Sequence, residues 1–149
     1  AGELRELAAN LEATDQRGQA IEVLRSVAIS GAATADDHFA LAELLYRAGE
    51  LPAARERYFV ALEADEEFVE ARVNLGCLLN ELGETELAEA AFRGALEHHP
   101  RYTDAHYHLA GLLESAGRIE DARIHWQAFL EQAPDSPWAD EAESRMRGG

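Results

Sequence analysis

The sequence predicts an all-α protein in which antiparallel helix pairs follow one another along the chain, and three observations support this fold class. A period of 34 residues runs through the first 136 of the 149 positions. Each period holds two apolar stripes at helical spacing. The remaining tail, residues 137–149, carries one further stripe and predicts a single closing helix. One helix pair cannot bury its own stripe, so we expect stability to come from stacking on neighbouring pairs.

The 34-residue period divides the chain into blocks 1–34, 35–68, 69–102 and 103–136 without an insertion. Each block repeats a leucine, a helix-turn residue, a small alanine and a large residue in the same register. The leucines are Leu7, Leu41, Leu75 and Leu109, the turn glycines Gly49, Gly83 and Gly117, the alanines Ala20, Ala54, Ala88 and Ala122, and the large residues Leu24, Tyr58, Phe92 and Trp126. Chance rarely keeps this many positions in register over four blocks.

Proline and threonine mark the helix boundaries inside the blocks. Pro52 suits the first turn of a second helix, where its missing N–H costs nothing. Thr85 and Thr103 are placed to act as N-caps. Pro100 and Pro134 are expected to end second helices, because proline cannot continue the hydrogen-bond ladder.

These positions resemble the tetratricopeptide repeat, whose pattern of leucine, glycine, alanine, aromatic residue and proline has the same spacing. Block 69–102 matches best, and block 103–136 follows it closely except at Phe129, where the family prefers alanine. Block 1–34 is degenerate and has Asp15 in place of the turn glycine. The resemblance implies a right-handed superhelical solenoid of four helix pairs. It also implies that the first helices of the pairs line a concave, polypeptide-binding face.

The tail 137–149 is predicted to be a capping helix. Ser136 and Pro137 read as an N-cap followed by the first helical residue. Trp138, Ala142 and Met146 then form one apolar stripe at spacings of four residues. The end of the repeat array and this tail, ARIHWQAFLEQAPDSPWADEA, also resemble repeat arrays that follow a MerR-type DNA-binding domain in some G+C-rich bacteria.

The net charge of the chain limits which classes of molecule can bind it. There are 29 acidic and 13 basic residues, a formal net charge of −16, which argues against direct binding of nucleic acid and favours a basic or neutral partner. No run of 18 apolar residues is present, so no membrane span is expected. Cys77 is the single cysteine and excludes an internal disulfide. The sequence leaves the cellular compartment undetermined and favours the cytoplasm.

No catalytic or metal-binding motif appears in the sequence, and we expect neither enzymatic activity nor a cofactor. The six histidines invite a metal hypothesis, centred on His98, His99, His106 and His108. His106 and His108 are two residues apart and point about 200° apart on a helix, so they cannot easily share a metal ion. We therefore expect these side chains to have packing roles.

The concave face is the predicted binding site for another protein or peptide. Acids and asparagines there surround three aromatic anchors, and four acids from successive blocks, Glu43, Glu70, Asp104 and Glu114, are expected to form a stripe that favours basic residues beside apolar ones. The predicted groove residues are Asp36, Phe39, Glu43, Tyr46, Arg47, Glu70, Val73, Asn74, Cys77, Asn80, Asp104, Tyr107, His108, Gly111 and Glu114.

Self-association is the alternative function. Phe59 and Val60 are predicted to lie on the outer side of a second helix, where the other blocks carry polar or small residues. Such an apolar pair could contact a second copy or another domain, and equally could pack against a neighbouring helix edge. In this reading the chain is an oligomerisation module of a larger bacterial protein, such as a regulator.

Overall fold

The computed structural model describes residues 2–147 and shows only α-helices and their connections in that range. The all-α helical-repeat fold predicted from the sequence is confirmed. The helices in chain order are α1 (Gly2–Ala13), α2 (Arg17–Ala28), α3 (Ala35–Arg47), α4 (Leu51–Ala64), α5 (Val69–Glu81), α6 (Thr85–His98), α7 (Thr103–Ser115), α8 (Ile119–Gln132) and α9 (Ala139–Met146).

The helices belong to two compact units, which divide after Ala71. The first unit contains α1 to α4 and the first residues of α5. In it α2 packs against both α1 and α3, and α3 packs against α4. The second unit contains the rest of α5 and continues to α9. In it α7 packs against α6 and α8, and α9 packs against α8.

The turn inside each helix pair has the same geometry in all four blocks. Gly49, Gly83 and Gly117 have φ of 82°, 81° and 79°, a left-handed conformation that glycine adopts without steric cost. Asp15 holds the equivalent place in the degenerate block with φ of 59°, which aspartate tolerates better than most residues. In each turn the next amide N–H reaches back to a carbonyl five residues earlier, as in Glu50 N–H to Leu45 O at 2.9 Å.

The large residue of each second helix is the centre of its pair. Tyr58, Phe92 and Trp126 are fully buried, at 0%, 1% and 1% exposure. A small residue on the first helix makes room for the ring. The closest approach is at Gly76, where a Cβ atom would lie only 2.7 Å from Phe92 Cε1. The glycine is therefore required by packing between α5 and α6.

Two of the predicted helix caps are corrected by the structure. Thr85 and Thr103 are the first helical residues of α6 and α7, and the N-cap positions before them make no side-chain capping hydrogen bond. The capping box in the described residues is instead at Thr34, whose side chain accepts from the Asp37 N–H at 3.3 Å while Asp37 accepts from the Thr34 N–H at 2.8 Å. Pro52 lies in the first turn of α4, as predicted.

The tail also begins differently from the prediction. Ser136 is not the N-cap of α9, because Trp138 takes that position and Ser136 Oγ accepts from its N–H at 3.2 Å. The buried contact of α9 is made by Ala139 and Ala142, whereas Trp138 is 52% exposed. About half of the indole is therefore accessible to solvent. Gly148 and Gly149 of the predicted capping segment lie outside the described residues, and the capping role stays a prediction.

Candidate functional site

The first-helix face of the first unit carries an aromatic cluster that is partly buried. The Phe39 ring lies 4.7 Å from the Phe68 ring and 6.1 Å from the Tyr58 ring, between ring centroids. Tyr46 meets Tyr58 edge to face at 6.4 Å. Phe39 and Tyr46 are each half-buried. Part of each predicted anchor is therefore buried inside the unit, and part is accessible to solvent.

The polar groove residues of the first unit have internal partners or lie in solvent. Glu43 accepts a hydrogen bond from the hydroxyl of the buried Tyr58. Arg47 pairs with Glu12 at 3.1 Å on the first helix of the preceding block. Asp36 and Glu70 are exposed. Glu43 thus satisfies a core hydroxyl as well as presenting charge.

The second unit contains an open cavity of about 280 Å³ between side chains of α5, α7, α8 and α9. Four predicted groove residues line it together: Asn80, Tyr107, His108 and Gly111. The cavity has five further lining residues, of which Ser115 alone occupies a block position that the sequence predicts to face the groove. These are Leu112, Ser115, Trp126, Glu141 and Arg145.

Other groove residues predicted for the second unit lie outside this cavity. Val73 is buried at 2% exposure, so its assignment to the groove surface is wrong. Phe39 and Tyr107, the larger side chains at the same block position, are only half-buried, whereas the shorter valine side chain is covered. Asn74 and Cys77 are half-buried, and Asp104 is exposed.

Tyr107 is the centre of the aromatic cluster beside the cavity. Its ring centroid lies 5.4 Å from that of Trp126, 5.3 Å from Phe129 and 5.5 Å from Trp138. Its hydroxyl donates to Glu141 at 3.0 Å. Burial, and then the hydrogen bond to Glu141, raise the pKa of the Tyr107 phenol, so it remains a neutral donor at physiological pH.

Glu114 connects the core to the cavity. Its Oε2 accepts from Trp126 Nε1 at 3.2 Å, and its Oε1 accepts from Arg145 Nη1 at 2.8 Å. The Arg145 guanidinium also lies over the Trp126 ring, with Cζ 5.9 Å from the centroid. Arg145 is thus a basic residue at the cavity of the second unit that the groove prediction did not include.

His108 gives the cavity wall a neutral ring. It stacks on Phe92 at 5.8 Å between centroids, with an interplanar angle of 16°. Burial lowers the pKa of His108, with Asp104 opposing the shift, so the imidazole carries little charge at neutral pH. It therefore does not repel a basic ligand.

His106 and His125 form a hydrogen-bonded pair on the other side of α7. His106 Nε2 lies 2.9 Å from the Pro100 carbonyl oxygen, which only accepts, so this nitrogen carries a proton. His106 Nδ1 then accepts from His125 Nδ1, 3.0 Å away. The pair can take up one additional proton, but a second would set two N–H donors against each other. The packing role expected for His106 is consistent with its 8% exposure.

The histidine pair predicts a specific loss of stability in mild acid. Burial, with His106 and Arg93, lowers the pKa of His125 to about 4, while Asp121 opposes the shift. In the unfolded chain the pKa of His125 is near 6.5, so between about pH 6.5 and 4 the unfolded state binds more protons than the folded state. The free energy of unfolding therefore falls as the pH drops from about 6.5 towards 4. Because the ring is half exposed, we expect His125→Gln to reduce the pH 7-to-5 loss by only about 1 kcal/mol.

Urea unfolding at pH 7 and pH 5 checks this expectation. His99→Gln is the matched control, since His99 is an exposed histidine just beyond α6. The control should retain the parent's pH dependence. An equal loss in parent and His125→Gln would contradict the assignment.

The outer-face pair is less open than its sequence suggests. Phe59 is 42% exposed, but the Arg55 guanidinium lies over its ring at 5.9 Å. Val60 is half-buried. Across residues 2–147 there is no group of three or more histidine, cysteine or acidic side chains that could hold a metal ion. In the same range no helix is both long and apolar enough to cross a membrane.

Comparisons with known proteins identify the repeat. The family model described as tetratricopeptide repeat matches residues 73–137. These residues are tetratricopeptide repeats. The match includes α6, α7 and α8, so most of the cavity wall is formed by tetratricopeptide helices. The tetratricopeptide resemblance found in the sequence is thereby confirmed over these residues. A comparison with curated proteins found no match.

Solved structures share the tetratricopeptide fold at low sequence identity. A tetratricopeptide repeat protein from Parabacteroides merdae is 24% identical, with a TM-score of 0.89 over 99% of this chain and 60% of that one. YrrB, described as having an unusual peptide-binding site, is 20% identical, with a TM-score of 0.82 over 92% of this chain and 71% of that one. The first such domain of Spaghetti, bound to an HSP90 peptide, is 18% identical, with a TM-score of 0.72 over 77% and 94%.

Proposed function

We propose that the protein is a polypeptide-binding scaffold and that the cavity beside Tyr107 is its principal contact. The observation that carries this proposal is the exposed indole of Trp138, which lies 5.5 Å from the Tyr107 ring at a tilt of 36°, next to an open polar cavity. Exposed aromatic rings beside hydrogen-bonding groups are typical of the anchors that dominate protein interfaces. Packing alone does not require an indole that is half in solvent.

The similar structures support a binding role of this kind. YrrB has a peptide-binding site and the Spaghetti domain holds a peptide, and both share the fold of this chain. An acidic peptide does not suit this chain, because the chain carries a net charge of −16 and would repel it. We infer a partner segment with basic residues beside apolar ones. Exposed Glu70 and Asp104 would steer its approach.

The polar groups of the cavity suit a polypeptide backbone. The exposed Asn80 amide can donate to a peptide carbonyl and accept from a peptide N–H. Ser115 adds a further donor at the same cavity, and the Tyr107 oxygen, whose proton is given to Glu141, can accept from a peptide N–H. Phe39 and Tyr46 on the first unit are proposed as secondary contacts, because both rings are partly used in internal packing.

Peptide selection followed by affinity measurement tests the proposal. A random 12-residue peptide library would be selected against the protein, and the selected peptide titrated by calorimetry. We expect Tyr107→Ala to weaken binding by at least about tenfold, equivalent to about 1.4 kcal/mol. Circular dichroism should show that the variant keeps its helices.

Phe59→Ala is the control for the outer side of a second helix, since Phe59 is 42% exposed and does not line the cavity. It should leave affinity unchanged. If Phe59→Ala abolishes binding and Tyr107→Ala does not, the outer face is the working surface and this proposal fails.

A further inference from the structure

Arg145 occupies a position that resembles a bound ligand group. Its Nη1 donates to Glu114 at 2.8 Å, its Nε donates to Glu141 at 3.1 Å, and its Cζ lies 5.9 Å from the centre of the Trp126 ring. A carboxylate beside an aromatic face is the arrangement that recognises a guanidinium, through charge-assisted hydrogen bonds and cation–π contact. The arginine side chain is still 43% exposed, so solvent reaches the group.

The Glu114 carboxylate, which accepts from Arg145, is also held by a contact that does not involve Arg145. Glu114 lies on α7 and is held by Trp126 Nε1 of α8 at 3.2 Å, and the indole itself is 1% exposed. A side chain with one oxygen already bonded to the core is pre-organised, so a ligand loses less conformational entropy in ordering it. Glu114 and Trp126 would therefore persist as a subsite if α9 moved away.

Helix α9, which carries Arg145, is held weakly against the rest of the unit. α9 has 8 residues, and its buried side chains are Ala139 and Ala142. An isolated helix of this length is marginal in water. Its polar ties to the rest of the unit include Tyr107 to Glu141 at 3.0 Å and Arg123 Nε to the Met146 carbonyl at 3.1 Å, both exposed. Arg145 itself is held by ion pairs with Glu114 and Glu141, in which its own side chain is 43% exposed. Such pairs contribute only about 0–1 kcal/mol each, so release of the Arg145 side chain costs little.

We propose that Glu114 and the Trp126 face form a guanidinium-binding subsite, which Arg145 fills until an arginine of a partner polypeptide displaces it. This inference rests on the proposed function and specifies one partner residue for the same cavity. Arginine is favoured over lysine because its planar guanidinium can stack on the indole while donating to a carboxylate. The excess of acidic residues in the chain favours the incoming cation.

A small probe tests the subsite without knowledge of the natural partner. N-acetyl-arginine amide would be titrated into parent and Arg145→Ala protein, and the indole N–H signal of Trp126 followed by NMR, with Trp138→Phe used to assign it. If Arg145 fills the subsite about nine-tenths of the time, Arg145→Ala should bind the probe about tenfold more tightly. N-acetyl-citrulline amide, neutral and of similar shape, should bind neither protein.

Arg147→Ala is the matched control, because Arg147 lies one residue beyond α9 and pairs with Glu143 of that helix. It should behave as the parent does. Adding Glu114→Gln to Arg145→Ala should remove most of the gain. Equal probe affinity in parent and Arg145→Ala, or equal response to citrulline and arginine, would overturn the inference.

The outcomes separate this inference from the proposed function. In one outcome, selected peptides contact Tyr107 and bind parent and Arg145→Ala with the same affinity. That result would support the polypeptide-binding cavity and refute the displacement of Arg145. Arginine-probe binding to Arg145→Ala without any selected peptide at Tyr107 would support the subsite and refute the polypeptide-binding cavity.

Discussion

Replacing Trp126 with alanine is expected to lower the free energy of unfolding by about 3–5 kcal/mol. The side chain is 1% exposed, so its removal leaves a cavity that the surrounding helices can close only partly. Its ring lies 5.4 Å from Tyr107, and its Nε1 donates to Glu114 at 3.2 Å. The variant therefore loses apolar burial, an aromatic contact and a hydrogen bond together. Urea unfolding followed by circular dichroism measures the change.

Two companion variants separate these contributions. Ile124→Ala on the same helix is the control, because Ile124 is 62% exposed and should change stability by no more than about 0.5 kcal/mol. Trp126→Phe keeps much of the ring and removes the indole N–H, so its loss should be smaller than that of alanine. A loss below about 1 kcal/mol for Trp126→Ala would show that this residue is not the centre of its helix pair.

Gly76→Ala is expected to destabilise the second unit by about 1–3 kcal/mol, even though alanine favours helix over glycine. The new Cβ would lie 2.7 Å from Phe92 Cε1 and 2.9 Å from Phe92 Cδ1, closer than carbon atoms pack. Phe92 is 1% exposed, so its ring has little room to retreat. Thermal unfolding of the variant should show a lower midpoint.

Gly111→Ala provides the matched test of this steric argument. Gly111 is also helical, and a Cβ there would meet nothing within 4 Å. Its substitution should raise stability by up to about 1 kcal/mol, through helix propensity alone. Equal effects at the two glycines would contradict the packing account. Partial recovery by Phe92→Leu in the Gly76→Ala background would support it.

The fold was predictable because its determinants are local and repeated. The turn positions at Gly49, Gly83 and Gly117 recur every 34 residues, and backbone conformation at a turn depends mainly on the residue itself. The buried rings of Phe92 and Trp126 follow the same period. Helix ends were less predictable, since a threonine near a helix start can be the cap or the first helical residue with little change in sequence.

The site was predicted only in part, because it depends on contacts between distant segments. Helical periodicity placed Tyr107 and Asn80 on one face, and both line the cavity. Periodicity could not show that Glu114 bonds to Trp126, or that Arg145 of the tail meets Glu114. The tail was interpreted as purely structural because its stripe explained its residues. The signal available in the sequence was the pair Glu141 and Arg145, which are four residues apart and follow Trp138.

Chemical-shift mapping of a selected peptide tests the central claim most directly. Amide signals of the ¹⁵N-labelled protein would be followed as the peptide is added. We predict that the largest changes fall on Asn80, Tyr107 and Ser115, which line the cavity. Changes concentrated instead around Leu87 and Ile124, which are exposed at 50% and 62% and lie outside it, would contradict a binding site on the first-helix face.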